Sequence, residues 1–166
     1  TRSLKPVLVV GDNTGGDIEI NVNTTTIGSG YKVVANRAAL ISVFTNLFIN
    51  SMKSLRFAQR AKPVIDIKIW REGSQLLIEF HDNGNGVPDE NIKQIWIPFF
   101  SSYPKRGVHS TLRGMGLGLT LTSEIIEEQY LGSIELSKTK YDKDKPGKGF
   151  ATFLISIPWK ELEDKK

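Results

Sequence analysis

Between Asn36 and Pro63 the hydrophobic period changes from two to about 3.6 residues and back again, and this switch limits the fold more than any other feature. Asp17-Ile18-Glu19-Ile20-Asn21-Val22 alternates apolar with polar, as a half-buried strand does. From Arg37 to about Gln59, Leu40, Phe44, Leu47, Ser51 and Leu55 fall on one helical face, and Asn36 is a suitable N-cap. Pro63 ends the segment. Val64–Trp70 alternates again, and Gln75–Phe80 reads as its hairpin partner across residues 71–74. Upstream, Pro6–Val10 is a strand candidate, Gly11–Gly16 a turn cluster and Tyr31–Val34 a short strand. Downstream come a turn-rich loop at Asp82–Pro88, a short helix over Pro88–Ile95 and a polar loop over residues 101–113. A second strong helix over Leu117–Tyr130 precedes strands at Gly132–Ser137 and Phe150–Ile157. This order predicts an α+β fold, a two-layer α/β sandwich with helices on one face of a mixed sheet.

Composition narrows the function classes. A chain of 166 residues suits a single domain with a real core. The net charge of +4 is too small, and its lysines and arginines too dispersed, to argue for nucleic acid. The one basic cluster, Lys138–Lys148, contains two aspartates and reads as a solvated hairpin. With no cysteine there is neither a disulfide framework nor a thiolate metal site. No signal peptide is visible, and no apolar run suggests a membrane span. The chain begins at Thr1 rather than Met, as a piece of a longer protein would.

Three short motifs carry chemistry. Asn46, Asn50 and Lys53, at i, i+4 and i+7, share a narrow stripe beside the apolar helix face. They are either surface amides with an exposed lysine, or a metal-phosphate stripe in which an amide oxygen meets magnesium and an ammonium meets phosphate. Asp82-Asn83-Gly84-Asn85-Gly86 follows an apolar strand. It is either a plain turn or a strand-end carboxylate placed to accept a ligand hydrogen bond, with glycines that let a ring lie against backbone. Arg113-Gly114-Met115-Gly116-Leu117-Gly118-Leu119 sets three glycines at alternate positions before an amphipathic run. This suits a tight surface turn or a phosphate approaching backbone amides.

In order and spacing, Asn46/Asn50, DNGNG at 82–86, IPFF at 97–100 and GMGLGL at 114–119 resemble the ATP-binding domain of the gyrase, heat-shock chaperone, histidine kinase and MutL superfamily. The likeness spans roughly residues 17–158 and is closest to the catalytic domain of sensor histidine kinases. NLFINSMKS at 46–54 and KGFATFLISIP at 148–158 resemble further signatures of that family. The resemblance implies a Bergerat fold, a mostly antiparallel sheet with about three helices on one face, in a single domain over residues 1–166. It implies ATP and Mg2+ as cofactors. Asn50 would ligate the metal, Asn46 would support metal or phosphates, and Lys53 would touch phosphate. Asp82 would accept from the adenine amine, and Gly84 and Gly86 would shape the base pocket. Phe99 and Phe100 would anchor a lid over 101–113 carrying Lys105, Arg106 and Arg113 as phosphate contacts. Gly114, Met115, Gly116, Leu117, Gly118 and Leu119 would wrap the phosphates. Met115 stands where the family usually has a small or hydroxyl residue. The lid has Ser101-Ser102-Tyr103-Pro104-Lys105 in place of the family's Thr-Thr-Lys.

The resemblance also bears on the reaction. ATPases of the superfamily place a glutamate general base four residues before the metal asparagine, and here that position is Asn46, a neutral amide. This favours transfer of the γ-phosphate to a histidine on a separate helical dimerisation domain, and from there to a response regulator. An ATP-driven conformational switch and a non-catalytic nucleotide sensor are the alternatives. The phosphoacceptor domain is expected outside this chain, because His81 reads as structural and His109 as a loop residue. The expected location is cytoplasmic, in a parent protein with or without a membrane anchor. No nucleic acid and no direct membrane contact by this domain are expected. Trp96, Phe99, Phe100 and Tyr103 are expected to serve lid packing.

Overall fold

The computed structural model describes residues 7–10, 17–25, 35–102, 114–145 and 147–159. Six strands form one sheet in the order β1-β2-β3-β4-β6-β5: β1 Val7–Val10, β2 Ile18–Thr25, β3 Val64–Glu72, β4 Gln75–Asp82, β5 Ser133–Lys140 and β6 Phe150–Pro158. Among the described residues only β2 and β3 pair in parallel, and every other neighbouring pair is antiparallel. A parallel pair needs a crossover, which helix α1, Arg37–Ala58, supplies. The β3–β4 hairpin closes through Gly73-Ser74, with Gly73 at φ +56°. The expected strand at 31–34 lies outside the described residues.

Asn36 caps α1 as its residue type predicts. Its side-chain oxygen accepts from the amides of Ala38 and Ala39, at 3.1 and 3.2 Å. The buried stripe of α1 is Ala39, Val43, Leu47, Ser51, Leu55 and Ala58. It is rotated slightly from the expected face, with Leu40 and Phe44 only half-buried. Ala39 and Val43 take buried positions, and Leu40 and Phe44 lie beside them on the flank of the stripe. By length and a mean hydropathy of 1.2, α1 would pass as a membrane span, contrary to the sequence expectation. Its apolar stripe instead joins the core over the sheet, with Leu47, Val43, Ile65, Phe80, Ile126 and Ile155 nearly inaccessible. Phe48 meets Phe80 edge-on at 5.1 Å.

The remaining helical cover is shorter than expected. The segment after the glycine motif is α-helical only over α2, Gly118–Glu124, and continues as a π turn over Ile125–Gln129. Neither glycine nor proline stands there, so no residue in the sequence marks the change. The expected helix at 88–95 is a pair of 3-10 turns, Asp89–Asn91 and Gln94–Trp96, in a stretch too short to propagate a helix cheaply. Trp96 packs edge-on against Phe153 at 6.0 Å. Asn36→Ala should lower unfolding free energy by about 1 kcal/mol and the melting temperature by about 2–4 °C. An unchanged thermal melt would show that the cap is not what starts α1.

Candidate functional site

Period two along β4 turns Ile78, Phe80 and then Asp82 toward the helical layer. Asp82 therefore occupies a core position at 2% exposure. Its neighbours across the sheet are Ile65 on β3 and Ala151 on β6, and the small Ala151 leaves space above the strand end. A buried carboxylate requires hydrogen bonds. Ser51, the one polar residue on the buried stripe of α1, donates to Oδ2 at 2.8 Å, and the Gly84 amide donates to Oδ1 at 3.0 Å. The Ser54 hydroxyl bonds Asp82 as well and accepts from the Asn85 amide at 2.9 Å. Burial pushes the carboxyl above its ordinary value, opposed by Ser51, the Gly84 amide, Ser54 and the charge of His81.

The loop after Asp82 is clasped from below. Asn83 accepts from the Val64 amide at 2.8 Å and donates to the Lys62 carbonyl at 2.9 Å. Arg60 donates to the carbonyls of Asn83 and Gly149. Gly86, at φ +74°, lies where a Cβ would overlap the Lys140 carbonyl. His81 faces the other side of the sheet, with Nδ1 2.8 Å from the Thr152 hydroxyl, in keeping with a structural role.

Asp82 forms part of a cavity of about 300 Å³ between α1, the ends of β4 and β6, and the glycine loop. The stripe of Asn46, Asn50 and Lys53 lines one wall, and residues 114–119 line another. Asn46 Nδ2 lies 3.4 Å from the Thr122 hydroxyl, which in turn donates to the Gly118 carbonyl at 2.8 Å, tying the stripe to α2. Burial lowers the ammonium of Lys53 from its usual value. Met115 is 78% exposed at the rim. At Gly116 the closest constraint is the chain itself: φ is +72°, and a Cβ would collide with the backbone of Phe99 and Phe100.

The structure brings most of the expected residues together, with two exceptions. Phe100 lines the cavity, whereas Phe99 is 73% exposed and anchors the segment through its amide, which donates to the Gly116 carbonyl at 2.9 Å. Gly84 is buried beside Ser54 and Asp82, beneath the cavity lining. Lys105, Arg106, Arg113, Tyr103 and His109 lie outside the described residues. Ser51 and Ser54 were missed as site residues. The signal for Ser51 was a hydroxyl on an otherwise apolar helical face. The apolar walls from Ile95, Ala151 and Phe153 looked like ordinary core in the sequence.

Since the folded-state value of Asp82 lies above its unfolded one, its favourable contribution is full below the ordinary carboxylate range. That contribution is lost as pH rises through the folded value. Acidification from neutral toward about pH 4 should therefore shift the stability difference between wild type and Asp82→Asn in favour of wild type. Urea unfolding across that range checks this, and a pH-independent difference would contradict it.

The comparisons with known proteins agree with this geometry. The profile of the histidine kinase-, DNA gyrase B- and HSP90-like ATPase family matches residues 35–161. The phytochrome-like protein Cph1 of Synechocystis is 31% identical over 149 residues, which cover 89% of this chain and 17% of that protein. Sporulation kinase C of Bacillus subtilis is 32% identical over 114 residues, covering 69% of this chain and 23% of that protein. The chain thus spans about a fifth of the length of these relatives. Among solved structures, the mycobacterial sensor histidine kinase MprB superposes with a TM-score of 0.65 at 18% identity, covering 87% of this chain and 86% of that one. The catalytic domain of histidine kinase ThkA superposes at 0.59 with 22% identity, covering 85% and 78%. These superpositions show a shared fold. With the profile matching most of its length, the chain belongs to the histidine kinase-, DNA gyrase B- and HSP90-like ATPase family and uses ATP as that family does.

Proposed function

We propose that this chain binds magnesium-ATP and presents the γ-phosphate to a histidine on a separate helical dimerisation domain, as the catalytic domain of a sensor histidine kinase. One observation carries the reading: among the described residues lining the cavity, Asp82 is the sole carboxylate, and it is already engaged by Ser51, Ser54 and the Gly84 amide. The wall formed by Asn46, Asn50 and Lys53 offers amides and an ammonium and no group that accepts a proton from water near neutral pH. An imidazole nucleophile arriving on another domain needs no such base.

The roles follow from the chemistry of each group. The buried end of the cavity holds the base, with Asp82 accepting from the adenine amine. The α1 stripe holds the phosphates. The amide oxygen of Asn50 is a hard donor suited to magnesium, and one protein ligand suits a cation whose other positions are filled by phosphate and water. Among the described residues there is no cluster of three or more His, Cys, Asp or Glu that could hold a metal. Magnesium would neutralise charge on the transferring phosphoryl group. Lys53 adds a positive charge on the same wall. Lys105, Arg106 and Arg113 would complete the phosphate contacts. Transfer onward to a response regulator, and a parent protein that keeps this domain in the cytoplasm with or without a membrane anchor, complete the proposal. The names of the relatives, sensor and sporulation kinases, support the kinase reading.

The test is phosphotransfer in trans. With radiolabelled ATP and magnesium, the chain should place acid-labile phosphate on the histidine of its helical domain and none on His81 or His109. Asn50→Ala should slow transfer by about 10²-fold or more. Steady ATP hydrolysis without the acceptor, and no phosphohistidine with it, would overturn the reading.

A further inference from the structure

Ser51 stands out because it spends a buried helix position on a hydroxyl. At 2% exposure it sits between Leu47 and Leu55 in the core stripe of α1, where an apolar side chain would cost nothing to desolvate. Its hydroxyl points at the equally buried Asp82 across 2.8 Å. A carboxylate offers about four acceptor positions. Ser51, Ser54 and the Gly84 amide take three, which leaves one for a ligand donor.

We propose that Ser51 is a specificity-determining positioning residue: by donating to Oδ2 it holds Asp82 as an acceptor-only group, so that the cavity selects a purine bearing an exocyclic amine over one bearing a keto oxygen at the same position. The inference rests on the reading of this cavity as the ATP site. Were Asp82 protonated, its O–H would become a donor and would match the keto oxygen of inosine. Ser51 acts against that state, because a hydroxyl that donates to the carboxylate stabilises the charged form. The opposing tendency is burial, which favours the neutral acid. Among the described residues the surroundings supply little else. From α1, Lys53 lines the same cavity. His81, next to Asp82 on β4, acts from the other face of the sheet. Arg60 is committed to the carbonyls of Asn83 and Gly149. β3 and β6 present Ile65 and Ala151.

The test compares wild type, Ser51→Ala and Ser51→Thr. Alanine is a good helix former that fits the space, and threonine restores the hydroxyl. In the nucleotide-free protein, the Asp82 carboxyl followed by carbon NMR should titrate about one pH unit higher in Ser51→Ala than in wild type, with Ser51→Thr close to wild type. At a pH between the two titrations, the preference for ATP over inosine triphosphate, measured by calorimetry with magnesium, should fall by about tenfold in Ser51→Ala and be restored in Ser51→Thr. A purely structural role for Ser51 would move neither readout. Identical titrations overturn the proposal, as does an unchanged ATP-to-inosine-triphosphate ratio in a Ser51→Ala chain that binds both. A wild-type chain that binds neither nucleotide overturns the ATP reading together with the selectivity. Binding by wild type with an unchanged ratio overturns the selectivity alone.

Discussion

The rest of the site depends on keeping a carboxylate inside the core. Asp82 takes the inward position that the pleat of β4 assigns it, where Ile78 and Phe80 precede it. A lone buried anion there would be expelled or neutralised. It is tolerated because α1 turns Ser51 and Ser54 toward it and the following loop bends back to offer the Gly84 amide. The rotation of α1, the path of the loop and the position of the carboxylate therefore constrain one another. The same rotation that buries Ser51 carries Asn46, Asn50 and Lys53 to the edge of the buried stripe, where they form a wall of the cavity.

This coupling separates two tasks within one cavity. The end near β4 and β6 is buried and hydrogen-bonded, with apolar walls from Ala151 and Phe153, which suits recognition of a base. The end near the glycine loop is lined by amides, an ammonium and backbone, which suits an anion and the hard cation that accompanies it. The glycine loop is held by contacts within the protein. The Phe99 amide bonds the Gly116 carbonyl, and the Thr120 hydroxyl donates to the Trp96 carbonyl at 3.0 Å. The segment ending in Phe99-Phe100 and the start of α2 are thus joined.

Much of this was legible in the sequence where a periodic pattern or an end signal governs structure. The switch of period around α1, the cap at Asn36, the strand alternation and the strand-end position of Asp82 follow from local rules. The exact buried stripe of α1 did not, because Ala39 and Val43 win the buried positions over Leu40 and Phe44 only when the helix docks. The π turn at Ile125–Gln129 had no marker residue. The three glycines suggested a close phosphate, yet at Gly116 the nearest obstacle is the backbone of Phe99 and Phe100, a tertiary contact that no local pattern reveals. Ser51 was visible as an odd residue on an apolar face. Its partner, 31 positions away, was not.

Calorimetric titration with ATP, with and without magnesium, on wild type and Asp82→Ala tests the central claim most directly. Circular dichroism confirms that both chains are folded. The account predicts magnesium-dependent binding by wild type that disappears in Asp82→Ala. Equal ATP affinity in the two folded chains would contradict it and would remove the base of the nucleotide from the buried end of the cavity.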